Sequence, residues 1–296
     1  MALWGSAFAS SKLSVQAVPH EVAAALRFGI GAVILLVAHT LARAEPLRPR
    51  AVGLAAGLGM FGIFGYNACF FLALSLAPSA DGSVIVPVTA PVITVAVSAL
   101  LGRRKLTARA AVGLATAVAG AVVFFVGIPA GGSTRLAGDL IFLGAAACWA
   151  CYTMLGAPVL AKLPAFGVTT WATTAGGAAL ALLAIPRFGE VTWSALGAGF
   201  WVNAGYLAVL PTALAYVLYY RVVREAGPTT AASAMFLVPV FGLACSWLLL
   251  GESITAWQGA GAVLMLAGAW LATIVRTRRA QPTPPGLSVD RASTAR

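Results

Sequence analysis

Pro91-Val92-Ile93-Thr94-Val95-Ala96-Val97-Ser98-Ala99-Leu100-Leu101 returns as Pro239-Val240-Phe241-Gly242-Leu243-Ala244-Cys245-Ser246-Trp247-Leu248-Leu249, and setting one stretch against the other decides the fold. At a constant spacing of 148 residues the Pro-Val pairs coincide, as do Ala96 with Ala244, Ser98 with Ser246 and the Leu pairs. The register holds without a gap through Thr107-Ala108 and Thr255-Ala256, Gly113 and Gly261, and Ala119-Gly120-Ala121 and Ala267-Gly268-Ala269. Alanine and leucine coincide cheaply in a chain rich in both; the proline, threonine and glycine columns mark an internal repeat. A looser match of Trp4 with Trp149, at a spacing of 145, carries it back toward the start of the chain.

What repeats is membrane sequence. Of 296 residues, 60% are hydrophobic and 9% charged, against about 25% charged in soluble domains, which excludes a water-soluble globule. Apolar runs of roughly 18 to 25 residues are the length that crosses the hydrocarbon core, and they are apolar on every face, unlike the alternating short strands of a membrane barrel. The predicted fold is all-α and polytopic, with ten spans at about 1–17, 22–42, 52–76, 83–101, 108–128, 140–159, 168–185, 196–222, 231–250 and 259–275. Five spans per repeat is an odd number, so the second copy enters the bilayer from the opposite side. Inverted repeats are transporter architecture: a site at their interface opens to either side as one half rocks on the other.

The net charge of +11 does not point to nucleic acid, because the basic residues sit at span ends. Counted by side, 15 of the 19 Lys and Arg lie in the breaks after spans two, four, six and eight or in the tail, and 4 on the other side. Basic flanks stay cytoplasmic, so both termini are expected there, in a bacterial inner membrane. The expected organisation is a first five-helix repeat at 1–128, an external connection at 129–137, an inverted second repeat at 138–275 and a disordered cytoplasmic tail at 276–296. The first span has barely the length to cross before Pro19 and contains Lys12. It implies either a thinned bilayer with Lys12 snorkelling to the outer interface or residues upstream of Met1; it lacks the basic start of a cleaved signal peptide.

Trp4-Gly5-Ser6-Ala7-Phe8, Leu26-Arg27-Phe28, Gly138-Asp139-Leu140 leading to Trp149-Ala150-Cys151-Tyr152, and Pro239 followed by Leu250-Gly251-Glu252-Ser253-Ile254-Thr255 resemble the EamA-type members of the drug/metabolite transporter superfamily over roughly residues 1–275. In kind the chain is most similar to aromatic amino-acid exporters of the YddG type. The resemblance implies ten helices in two inverted repeats, export of amino acids or related metabolites, and a cavity lined mainly by spans one, three, four, six, eight and nine. The Gly-Glu of the second repeat has Arg103-Arg104 as its first-repeat counterpart, so that glutamate is not a paired device.

Catalytic, metal-binding and cofactor-binding sets are not expected. Gly57-Leu58-Gly59-Met60-Phe61-Gly62 has the spacing of a dinucleotide loop but lies inside a span, where small residues serve close helix packing. Cys148 and Cys151 lie in mid-membrane without a basic neighbour to activate them. The acids, Asp81, Asp139 and Glu252 among them, are expected at span ends or in loops, so a buried-carboxylate proton site is not expected. Only Lys12 and Arg27 are cations that could lie deep. The solute partner is therefore expected to be a neutral or zwitterionic small molecule, received by Trp4, Ser6, Tyr66, Asn67, Trp149, Tyr152, Tyr216 and Tyr219. Asn67 is expected to face the cavity or bond another helix. Trp193, Trp201, Trp257 and Trp270 belong to interfacial belts. Pro87, Pro91, Pro211 and Pro239 are hinge candidates, each removing a backbone hydrogen bond inside a span. The competing reading is a membrane scaffold or signalling bundle without transport, which has no need of inverted repeats.

Overall fold

A computed structural model describes residues 1–101, 107–127, 132–226 and 235–273, and all regular structure among them is helical. The rods are α1 (Ala2–Ala17), α2 (His20–Leu41), α3 (Pro49–Leu76), α4 (Ser79–Leu100), α5 (Ala108–Val126), α6 (Ser133–Leu160) and α7 (Ala165–Ala184). After two short 3-10 turns, α8 runs from Ala198–Leu207 through a π-helical stretch, Ala208–Leu214, into Ala215–Ala226. A 3-10 turn at Met235–Leu237 leads into α9 (Val238–Leu250), and α10 (Ala256–Thr273) follows. Seven rods, α2 to α8, are long and apolar enough to cross a membrane.

Local chemistry sets the ends. Prolines with fixed φ precede or open α2, α3, α4 and α7 at Pro19, Pro49, Pro78 and Pro164. The Thr107 hydroxyl accepts from Ala110 N at 3.2 Å, and the Thr255 hydroxyl accepts from Gln258 N at 3.2 Å, so the repeated threonine column is a pair of helix N-caps. In the second copy Gln258 Oε1 accepts in return from Thr255 N at 3.0 Å, completing a capping box. Gly251 closes α9 in the left-handed region at φ 64°, with Gly251 N donating to Trp247 O and Glu252 N to Ser246 O.

The packing carries a pseudo-two-fold. Helix α2 packs on α7, α4 on α9 and α5 on α10, each rod against its own repeat equivalent, and the α4–α6 contact is mirrored by α9–α1. The α5–α10 contact shows it at residue level. Gly113 meets the backbone of Gly268 and Ala272, and Gly120 that of Gly261 and Met265; a Cβ at any of these four glycines would collide with the facing helix. One pair of seams breaks the symmetry: α3 lies closely along α6, while the equivalent seam between α8 and α1 is thinner.

Two expectations need correction here. Pro239 is not mid-helix but the second residue of α9, whereas its repeat equivalent Pro91, with Pro87, lies inside a continuous α4. Helix α6 starts well before the expected residue 140, its polar first turn Ser133-Thr134-Arg135 being drawn in by an ion pair with α4. Lys12 reaches the end of α3, where Nζ donates to Leu74 O at 2.5 Å and Ala77 O at 2.9 Å, closing carbonyls left open there. Residues 133–137 of the expected 129–137 connection are helical and belong to α6, whereas Arg103 and Arg104, residues 129–131 and the 276–296 tail lie outside the described residues.

Candidate solute cavity

Trp4 and Trp149, paired by the repeat, meet edge to face with ring centroids 5.8 Å apart. Around Trp4 stand Tyr219 at 4.9 Å and Tyr216 at 5.5 Å; around Trp149 stand Tyr66 at 5.2 Å and Tyr216 at 6.1 Å. These rings come from α1, α3, α6 and α8, and all of them except Tyr219 line a cavity whose wall is completed by Arg27 of α2, Phe8 of α1, Phe70 of α3, Val86 and Pro87 of α4, and Met235 and Val238 at the start of α9. The cavity is narrow, about 40 Å³, room for only a few water molecules. Beyond Trp4, toward the first residues of α1, lies a wider space of about 250 Å³ walled by Met1, Leu3, Leu218, Tyr219 and Val222, in the thin seam between α1 and α8.

Two π-helical stretches shape this wall. They begin at Met60 in α3 and Ala208 in α8, the 148-residue register of the repeat again. In α8 the cause is Pro211, which has no N–H to give; its own carbonyl accepts from Trp4 Nε1 at 3.0 Å. In α3 the stretch falls among Gly59, Gly62 and Gly65, and Asn67 Nδ2 donates to Ile63 O inside it at 2.8 Å. Wide turns of this kind collect at functional sites, and nothing in the sequence was read as one.

Of the residues expected to receive the solute, Trp4, Tyr66, Trp149 and Tyr216 line one cavity, and Tyr219 packs on Trp4 from the wider space. The others stand elsewhere. Ser6 bonds its own helix and the Tyr206 hydroxyl at 2.6 Å, tying α1 to α8. Tyr152 stands behind Trp149, ring centroids 5.7 Å apart, and is buried on Gly62 of α3, so the glycine run is a packing surface: Gly59 meets Ala172 and Gly62 the Tyr152 ring. Asn67 is wholly buried; its Nδ2 donates to Ile63 O within α3, and its side chain also meets Tyr216 of α8 in the cavity wall. Pro87 lines the cavity, Pro211 contacts it through Trp4, and Pro91 does not line it. The belt tryptophans Trp193, Trp201, Trp257 and Trp270 are exposed on the outer surface.

Arg27 is the residue the sequence reading undervalued. Counted as a flank, it lies about 10 Å inside α2 at 1.5 Å per residue and is 5% exposed. Nε donates to Thr212 Oγ1 at 3.0 Å and Nη1 to Ser11 Oγ at 3.1 Å, and the guanidinium sits 5.0 Å from the Phe28 ring centroid. Its position in the Leu-Arg-Phe triplet, well past the start signal of Pro19, was the available clue.

At the end of the bundle where α1 and α3 finish and α4, α6 and α10 begin, three acids gather: Asp81, Asp139 and Glu252. Asp81 takes two hydrogen bonds from Arg135, at 2.7 and 2.8 Å, and one from Gln258 at 3.4 Å. Glu252 accepts from Ser79 N, Ser79 Oγ and Ala80 N at 2.8–3.0 Å, capping α4. Asp81 and Asp139 are near the ends of their helices, as expected, but both are wholly buried, and Asp139 lies seven residues into α6. The Asp139 oxygens accept from no N–H or O–H donor among the described residues, and the side chain lies against Asp81. Phe70, Phe142 and Phe8 separate this cluster from the cavity, Gly82 making room for the Phe142 ring. Among the described residues no group of acids, His and Cys could hold a metal ion, and the four cysteines are free.

Comparison with known proteins gives the same outline. The profile of the EamA-like transporter family matches residues 1–126 and again 136–274. An uncharacterized transporter of Bacillus subtilis, YyaM, is 26% identical over 89% of this chain and 88% of its own length. A probable amino-acid metabolite efflux pump of Salmonella typhimurium is 27% identical over 91% and 90%, and a probable terminal-alkyne amino-acid exporter of Streptantibioticus cattleyicolor 26% over 96% and 94%. One crystal structure superposes with a TM-score of 0.66 at 24% identity, over 92% of this chain and 94% of that one, and supports the fold.

Proposed function

We propose that this chain, which belongs to the EamA-like transporter family and is a multi-pass inner-membrane transporter of metabolites, exports amino acids or related small molecules by alternating access. The observation that carries the reading is the aromatic cavity assembled from both halves, with repeat-paired Trp4 and Trp149 edge to face inside it. Ten spans, both termini cytoplasmic, and halves at 1–128 and 138–275 complete the proposal; the side given by the basic residues places the wider space next to Trp4 on the cytoplasmic face. A solute enters there, parts the rings, and is released after the halves rock toward the other side. The layer of Phe8, Phe70 and Phe142 with the acidic cluster behind it closes the outward route in the present state. Pro87 and the π-helical stretch at Pro211 are where the wall bends.

The test is counterflow of a labelled amino-acid panel in proteoliposomes. Saturable exchange for at least one neutral amino acid supports the proposal, and no exchange with any organic solute overturns it. On energy coupling, the cavity wall among the described residues holds no carboxylate, which favours flux down the solute gradient. Asp139 favours a second reading: a buried carboxyl with no donor carries a proton at low cost, and a proton exchanged there would couple flux to the proton gradient. Uphill transport driven by that gradient and lost in Asp139→Asn would select the second reading; flux indifferent to the gradient selects the first.

A further inference from the structure

Arg27 is a buried cation in the cavity wall whose partners among the described residues are all neutral. Its side chain bonds two hydroxyls, those of Thr212 and Ser11, and rests on Phe28. The other polar groups that act on it are the phenols of Tyr66, Tyr206 and Tyr216. The contrast with the remaining well-placed cations is plain. Arg135 has the Asp81 carboxylate, Arg187 has Glu21 and Glu190, and Lys12 has two helix-end carbonyls, whereas no carboxylate among the described residues stands at ion-pair distance from Arg27. A guanidinium does not shed its charge in a protein. A charge held inside the membrane without a counter-charge is costly and marks a site whose partner comes from elsewhere.

We propose that Arg27 receives the carboxylate of the transported solute, which makes the solute class monocarboxylates with an apolar or aromatic body. The inference rests on the reading of the cavity as the solute path. Thr212 and Ser11 fix the guanidinium from α8 and α1 and leave further N–H donors for a planar, two-oxygen acceptor. The rings of Trp4, Tyr66 and Trp149 then enclose the body of the solute, and their faces suit the ammonium of an amino acid. A phosphate monoester carries a second negative charge for which the described wall has no second cation. Because Ser11 and Thr212 belong to different halves of the chain, filling the site also links those halves through one charge.

The experiment uses the purified full chain and ligand-induced thermal stabilisation with four probes: phenylalanine, 3-phenylpropionate, phenylalanine methyl ester and inorganic phosphate. The two carboxylates should stabilise the wild-type protein, and the ester and phosphate should not. Arg27→Gln should weaken binding of both carboxylates by about tenfold or more, the worth of a charge-assisted hydrogen bond, and Arg27→Lys should keep part of it. Thr212→Val and Ser11→Ala, which leave the charge but release its plane, should weaken binding by less than Arg27→Gln. Equal binding of acid and ester, undiminished binding in Arg27→Gln, preference for phosphate, or no response to either carboxylate overturns the proposal. If acid and ester bind alike and Trp149→Ala weakens both, the cavity remains the solute path and only the role of Arg27 falls. Should Arg27→Gln fail to fold, Arg27→Lys and the wild-type probe series decide alone.

Discussion

The protein holds two arginines in opposite circumstances. Arg135 meets a wholly buried carboxylate with two short hydrogen bonds at the end of the bundle, where Gln258, Glu252 and Lys12 settle the neighbouring charges and helix ends. Arg27 stands among rings and hydroxyls with no carboxylate among the described residues to pair its charge. One region spends its electrostatics on holding helices together; the other leaves an interaction open for something that arrives. The difference teaches where substitutions should damage the fold and where they should damage transport.

The sharpest way to break that contrast is to remove one arginine at a time. Arg135→Gln leaves Asp81 buried without its partner beside Asp139, and should cost about 3–5 kcal/mol, read as a large fall in melting temperature or loss of folded protein in detergent. Arg27→Gln removes a buried charge that has no carboxylate to strand, so its melting temperature should stay near wild type while solute binding falls. Equal destabilisation by the two would make Arg27 a structural residue.

A second prediction sharpens the structural side. Gly261→Val puts a branched side chain against the backbone of Phe124 and Gly120 and should cost about 1–3 kcal/mol or more, measured by thermal unfolding; Gly57→Val, at a glycine with nothing nearby, should cost far less. Third, Glu252→Ala uncovers Ser79 N and Ala80 N and should cost about 1–2 kcal/mol, lowering the amount of folded protein without changing which solute is moved; a shift in solute preference would instead place Glu252 in the transport path. Smallest of all, Trp4→Phe keeps a ring against Tyr219 but loses the bond to the Pro211 carbonyl, about 1 kcal/mol, and should alter transport rate more than stability, as a flux assay beside a melting curve would show.

The repeat was legible because its informative columns have local causes. The threonines cap helices, and Gly113, Gly120, Gly261 and Gly268 allow two helix backbones to touch, so each left a residue type that composition does not supply by chance. The meeting of Trp4 with Trp149 followed from the same register. What the sequence left open is the rotation of each rod about its axis. In a helix apolar on every face, periodicity does not distinguish a Tyr152 packed on Gly62 from a Tyr66 in the cavity wall. Asn67 Nδ2 turns back onto Ile63 O in the π-helical stretch of α3 while the same side chain meets Tyr216 of α8, and such a stretch has no signature apart from Pro211 in one copy and clustered glycines in the other. The acidic cluster escaped notice for another reason. Asp81, Arg135, Glu252 and Gln258 come from segments far apart in the chain, and only the bundle brings their helix ends together.

The central claim is that solute passes through the cavity between Trp4 and Trp149, and accessibility of Ala7 tests it most directly. Ala7 is 3% exposed and lines that cavity. In a chain with Cys69, Cys148, Cys151 and Cys245 replaced, Ala7→Cys should react with a membrane-impermeant thiol reagent supplied from the cytoplasmic side, and a transported amino acid should slow the reaction. A thiol at that position that reacts from neither side, in protein that still carries solute, would contradict the account and place the path elsewhere in the bundle.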